Sequence, residues 1–135
     1  MEGQFKNTIK IWVNGTFDVF HPGHLALLKY AANKGELHVG LDSDRRVKEK
    51  KGNDRPVFNI SQRKELLESL KFVHSVYVFD NDWELKEMIK KSEANIMVIG
   101  SDYENKEIIG KELFGEIIYF DRIKEISSTG LIQFI

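Results

Sequence analysis

The sequence predicts an α/β fold in which a five-stranded parallel sheet carries helices on both faces. Short β-branched runs alternate with helical patterns along the whole chain. Strand–helix–strand repetition requires crossover connections, and crossovers join parallel strands. The unusual polar residues fall in the loops that follow strands, and the crevice at the carboxyl ends of such strands is where these sheets bind ligands.

Taken in order, Ile9–Asn14 alternates and is β-branched, which predicts strand one. From Gly23 to Lys34, Leu25, Leu28, Ala31 and Ala32 recur at helical spacing, and Gly35 is a natural stop. Leu37–Leu41 is the second strand. The stretch from Ser43 to Asn59 is basic and polar, and reads as too charged for the core. Asn59-Ile60-Ser61-Gln62 resembles a helix-start capping box, continued by Leu66, Leu67 and Leu70. Val76–Phe79 is strand three. Asp82 to Lys91 forms a helix with Leu85, Met88 and Ile89 inward. Ile96–Ile99, an apolar run closed by Gly100, suits a strand buried on both faces. Ile117–Phe120 is strand five, and a short helix is expected from about Ser128 onward.

With 135 residues, 1–135 reads as a single domain. A net charge of −1 gives no global field that favours nucleic acid or a membrane surface. The chain has no cysteine, which removes disulfides, thiolate catalysis and cysteine-based zinc sites. The apolar runs are too short to cross a bilayer, and the first residues carry no apolar signal core, so the expected location is cytoplasmic.

The loop after strand one reads Asn14-Gly15-Thr16-Phe17-Asp18-Val19-Phe20-His21-Pro22-Gly23-His24. A helix start offers free N–H groups and a positive dipole end, both suited to phosphate. Gly23 allows close backbone approach, and two imidazoles supply donors that can follow charge as it develops on phosphorus. The plainer alternative makes His21 a loop residue and His24 a helix cap.

Gly15-Thr16-Phe17-Asp18 followed by His21-Pro22-Gly23-His24 resembles the signature of the HxGH nucleotidyltransferase superfamily. That resemblance implies a Rossmann-like five-stranded sheet, the nucleotidyltransferase fold, and in-line attack of a substrate phosphate on the α-phosphate of a nucleotide. It implies that His21 and His24 stabilise the pentacoordinate phosphorus, and that Lys51 and Arg122 are catalytic beside them. Nucleotide binding would fall to Gly15, Thr16, Phe17, Gly23, His24, Lys51, Arg63, Asp102, Arg122, Ile126, Ser127, Ser128 and Thr129. Acceptor binding would fall to Asp18, Lys48, Trp83 and Lys86, with Lys50 an alternative to Lys48.

Two subgroups compete. Trp83-Glu84-x-Lys86 and Ile126-Ser127-Ser128-Thr129 are similar to bacterial glycerol-3-phosphate cytidylyltransferases, although Ile123, Glu125 and Ser128 depart from their motif. Lys51-Gly52-Asn53-Asp54-Arg55-Pro56-Val57, and Asp102-Tyr103 with Glu107-Ile108-Ile109-Gly110, are more like the adenylyltransferase domain of ADP-heptose synthases. The expectation leans to CTP and a polyol or sugar phosphate such as glycerol 3-phosphate. The alternative is ATP with a heptose 1-phosphate. Mg²⁺ is expected to bridge triphosphate oxygens, because no complete protein-built metal cage is visible. The resemblance also implies a homodimer. A tRNA synthetase fragment is disfavoured by the missing Lys-Met-Ser-Lys-Ser sequence and the lack of a basic face. A non-catalytic nucleotide-binding module is disfavoured because both histidines, the lysines and the hydroxyl loop are all present.

Overall fold

The computed structural model describes residues 8–121. Five strands form one sheet: β1 (Lys10–Gly15), β2 (Glu36–Asp42), β3 (Val73–Phe79), β4 (Ile96–Gly100) and β5 (Glu116–Phe120). Their order is β3-β2-β1-β4-β5, and every pair is parallel. The helices are α1 (Pro22–Ala32), α2 (Asp44–Lys51), α3 (Ile60–Glu68) and α4 (Asp82–Ser92). The expected Rossmann-like architecture is present, and the chain reverses direction of travel between β1 and β4, the topological switch point.

Alternation along the strands sorts the core into two layers. Ile11, Val13, Leu37, Val39 and Leu41 pack with Leu28 and Ala31 of α1 and Leu67 of α3. On the opposite face Trp12, Phe79 and Met97 pack with Leu85 and Ile89 of α4 and with Ile108. Gly40 is required here: a Cβ at that position would lie 2.4 Å from Cζ2 of the Trp12 ring. The missing side chain is the space into which the buried indole fits.

The helix starts are set by local chemistry. Asn59 accepts from the Gln62 N–H while Gln62 accepts from the Asn59 N–H, the reciprocal box the sequence predicts. Asn81 caps α4, with Asp82 and Glu84 in its first turn and Lys90 and Lys91 in its last, each complementing the helix dipole. Two expectations need correction. The stretch after Ser43 contains a helix, α2, capped by the Ser43 hydroxyl and burying Val47 and Arg46. Charge misleads there because Arg46 is buried against the equally buried Asp42. Strand β3 begins at Val73, not Val76, because a bulge opposite Leu37 and His38 re-registers its first residues. The helix expected from about Ser128 lies outside the described residues.

Candidate active site

Strand β1 pairs with β2 over its whole length, from Lys10 against Glu36 to Gly15 against Leu41. Its ladder to β4 covers only Ile11 with Ile96 and Trp12 with Met97. Beyond Trp12 the two central strands part. A cleft of about 710 Å³ opens there, lined by Val13–Phe17, Gly23 and His24 on one side and Met97–Tyr103 on the other. Lys50, Lys51, Glu107, Ile109 and Asp121 complete the rim that matters for charge.

The turn from β1 into α1 positions the histidines. Phe17 adopts a left-handed backbone, φ 46°, a conformation costly for an aromatic residue and characteristic of functional turns. Its ring is held edge-on to His24, with centroids 5.3 Å apart. His21 is the N-cap of α1, and its Nδ1 accepts from the Gly23 N–H at 3.0 Å. His24 Nδ1 in turn accepts from the His21 N–H at 3.2 Å. The two rings stack, centroids 3.7 Å apart. Because both Nδ1 atoms accept, each imidazole carries its N–H on Nε2. The plainer alternative holds in part: His21, expected as a loop residue, is itself the N-cap, and His24 completes the capping box that orients both rings at the helix N-terminus.

The second wall carries positive charge from α2. Arg46 donates through Nε to Asp42 at 2.8 Å and through a terminal nitrogen to Asp82 at 2.8 Å. Burial opposes its charge, but the bonds to Asp82 and Asp42 outweigh burial and raise its pKa further. Lys50 reaches the same Asp42 oxygen at 3.5 Å. Lys50 and Lys51 sit in the last turn of α2, where the helix dipole favours cations.

Gly15, Thr16, Phe17, Gly23, His24, Lys51 and Asp102 all line the cleft, as the sequence predicts. His21 joins it by stacking on His24. Five other expectations meet a different arrangement. Arg63 is 1% exposed and donates to the carbonyls of Phe58, Thr16 and Asp42 and to the Asp44 carboxylate. It ties the turn after β1 to the end of β2. Asp18 is buried and accepts from the N–H groups of Val57 and Phe58, both at 2.8 Å. Burial alone would raise its pKa; those two bonds and the nearby Arg55 outweigh burial and hold it below the ordinary value. Asp18 thus clamps the segment beyond α2. Lys86 pairs with Glu112 at 3.0 Å and does not line the cleft. Trp83, which could have been core, is 70% exposed on a side groove shared with Arg45, Arg46, Asn81 and Ile109. Lys48 is exposed and outside the cleft lining. Arg122, Ile126, Ser127, Ser128 and Thr129 lie outside the described residues.

Sequence reasoning missed Asp42 and Arg46, and it quoted Glu107 and Ile109 only within a family motif. The signal for the first two was present: Asp42 and Arg46 are four apart across Ser43, a helix cap that would have placed them together. As to Mg²⁺, the carboxylates Asp42, Asp102, Glu107 and Asp121 line the cleft, yet among the described residues they form no converging set of three ligands. Asp42 is already bonded to two cations. Such a donor set suits an ion held mainly by phosphate oxygens.

The cytidylyltransferase-like family model matches residues 12–134. The bifunctional protein HldE of Campylobacter fetus subsp. fetus is 41% identical over 124 residues, covering 91% of this chain and 27% of that protein. The bifunctional protein HldE of Helicobacter hepaticus is 38% identical over 124 residues, covering 91% and 26%. The chain thus spans about a quarter of the length of these relatives. A lipopolysaccharide core biosynthesis protein from Thermoplasma volcanium, 22% identical, superposes with a TM-score of 0.70 over 85% of this chain and 98% of that one, a likeness of fold. With the paired histidines at the switch-point cleft and a family match from Trp12 to the penultimate residue, the chain belongs to the cytidylyltransferase-like family of nucleotidyltransferases.

Proposed function

We propose that this chain transfers AMP from ATP to a heptose 1-phosphate and releases pyrophosphate. This is the alternative of the sequence reading, now preferred to CTP and glycerol 3-phosphate. The observation that carries it is which of the competing motifs face the cleft. Asp102, Tyr103, Glu107, Ile108 and Ile109, similar to ADP-heptose synthases, line it. Lys86, the residue most particular to the glycerol-phosphate enzymes, is turned to Glu112. The HldE relatives support the same side of the choice.

In this reading an oxygen of the acceptor phosphate attacks the α-phosphorus, a new P–O bond forms, and the bond to the bridging oxygen breaks. Pyrophosphate leaves with that electron pair. The Nε2–H groups of His21 and His24 donate to oxygens whose negative charge grows in the transition state, which is where such donors have their largest effect. Lys50, Lys51 and the N-terminus of α1 hold phosphates. Mg²⁺, when bound, offsets triphosphate charge. Arg122 and the Ile126–Thr129 stretch belong to the same proposal by resemblance alone, as do a homodimeric assembly and a cytoplasmic location. No helix among the described residues is long and apolar enough to cross a membrane.

The test is to identify the product of reactions holding ATP or CTP with Mg²⁺ and either heptose 1-phosphate or glycerol 3-phosphate. The expected product is an adenosine diphosphate sugar with one pyrophosphate released per transfer. A cytidine diphosphate alcohol as the sole product would overturn the proposal.

A further inference from the structure

At the opposite end of β2, about 20 Å from the cleft at ~3.3 Å per residue, lies a second cluster of chemically capable side chains. Glu36 and His38 stand at the start of β2, and His74 on the edge strand β3. The ladder pairs Leu37 with Val73 and then His38 with Ser75, so His74 is the extra residue of a bulge. The bulge brings its ring within 5.0 Å, centroid to centroid, of the His38 ring.

The orientation of these rings is the informative feature. His38 Nε2 lies 2.8 Å from Glu36 Oε1, and His74 Nε2 lies 3.4 Å from Glu36 Oε2. Both rings are held from behind through Nδ1, His38 by the Tyr77 hydroxyl and His74 by the Ser75 hydroxyl, each at 2.8 Å. Two imidazoles fixed through Nδ1, with both Nε2 atoms aimed at one carboxylate, form the arrangement in which a metal ligand has its outer nitrogen bonded to a second group. His38 is 4% exposed, whereas His74 is half exposed, so the cluster is anchored inside and open outside. The neighbouring cation, Lys10, is paired with Glu93 at 2.8 Å.

We propose that Glu36, His38 and His74 bind a divalent transition metal of the zinc class, with the fourth position open to water. Two imidazole nitrogens and one carboxylate oxygen are a donor set zinc accepts. Bonds of about 2.0–2.1 Å in tetrahedral array put ligand atoms roughly 3.4 Å apart. The three ligand atoms lie within 4.8 Å of one another. Closing the set requires only a small swing of the exposed His74 and the part-buried Glu36 side chains. Bound there, the ion joins the edge strand to its neighbour and stabilises the sheet at its amino end, away from catalysis.

The test titrates the chelator-treated protein with zinc chloride by calorimetry and follows thermal unfolding, for the wild type, His74→Ala, Glu36→Gln, Tyr77→Phe and His21→Ala. The wild type should bind one Zn²⁺ per chain and unfold at higher temperature with it. Loss of an outer partner alone commonly weakens a site about 10–100-fold, so Tyr77→Phe should weaken binding about tenfold. His74→Ala and Glu36→Gln, which alter a half-exposed and a part-buried group, should weaken it by more than ~100-fold while AMP transfer continues. Two results would overturn the proposal. One is a wild type that binds no zinc at micromolar concentration. The other is binding that survives in His74→Ala and Glu36→Gln but disappears in His21→Ala, which would put the ion on the active-site histidines.

Discussion

Two loops meet at the carboxyl end of the sheet, and they use their polar residues in opposite ways. The loop after β1 fixes His21 and His24 through backbone donors to Nδ1 and leaves each ring a donor at Nε2. The segment after β2, from Asp42 to Arg63, carries more charge but directs much of it at the protein itself. Arg46 is bonded to Asp42 and Asp82, and Arg63 to three carbonyls and Asp44. Asp18 crosses between the loops to hold Val57 and Phe58. The difference teaches that a charged residue near a site is a ligand contact only if its donors are not already taken. Arg63 and Lys51 look alike in a sequence; their partners separate them.

The largest effect should come from Arg63→Ala. It leaves three carbonyls and the part-exposed Asp44 carboxylate without their partner, and each buried acceptor left unsatisfied costs about 1–3 kcal/mol. Denaturant unfolding should show that loss, and the fraction still folded should retain its KM for nucleotide. A KM raised tenfold with stability intact would return Arg63 to the nucleotide. Next comes His24→Ala, expected to lower kcat by about 10²–10³-fold, the size of a lost transition-state donor. Stability should change little, because the ring is only partly buried. Unchanged turnover would break the contrast between the loops.

Asp18→Asn should destabilise by about 2 kcal/mol, since an amide oxygen replaces a carboxylate that accepts two backbone bonds. The sign of its pH dependence follows from a folded-state pKa held below the ordinary 3.8. The carboxylate contributes stability above that value, and the contribution fades as pH falls through the lower folded value. Wild type and Asp18→Asn should therefore differ at neutral pH and converge in strong acid; a gap constant with pH would contradict the clamp. The smallest effect belongs to Lys86→Ala. Its pair with Glu112 is exposed and contributes little to stability, and both substrates' KM values should stay within about twofold. A large rise in acceptor KM would restore its expected role in acceptor binding.

Most of the fold was legible because parallel strands buried between helices leave compact apolar runs, as at Ile96–Gly100, and because the Asn59 capping box announces its helix. Helix α2 was not, since its apolar face is little more than Val47, and the buried Arg46 disguises its inward side. In the site, the turn from Gly15 to His24 was readable: its residue types make little sense except beside phosphate. The acceptor side was less legible at Lys86 and Asp18, because a short motif gives residue identity but not the long-range partner, Glu112 or Val57, that the side chain meets in this structure. The triad of Glu36, His38 and His74 was invisible for the same reason. Its members are brought together by a bulge, and no periodicity reports one.

The most direct test of the account is the ratio of kcat/KM for ATP over CTP, measured by pyrophosphate release with heptose 1-phosphate and Mg²⁺. The account predicts a clear preference for ATP, with CTP at or near background. A preference for CTP would contradict it, and would mean that the residues of β4 and the following turn do not select the base.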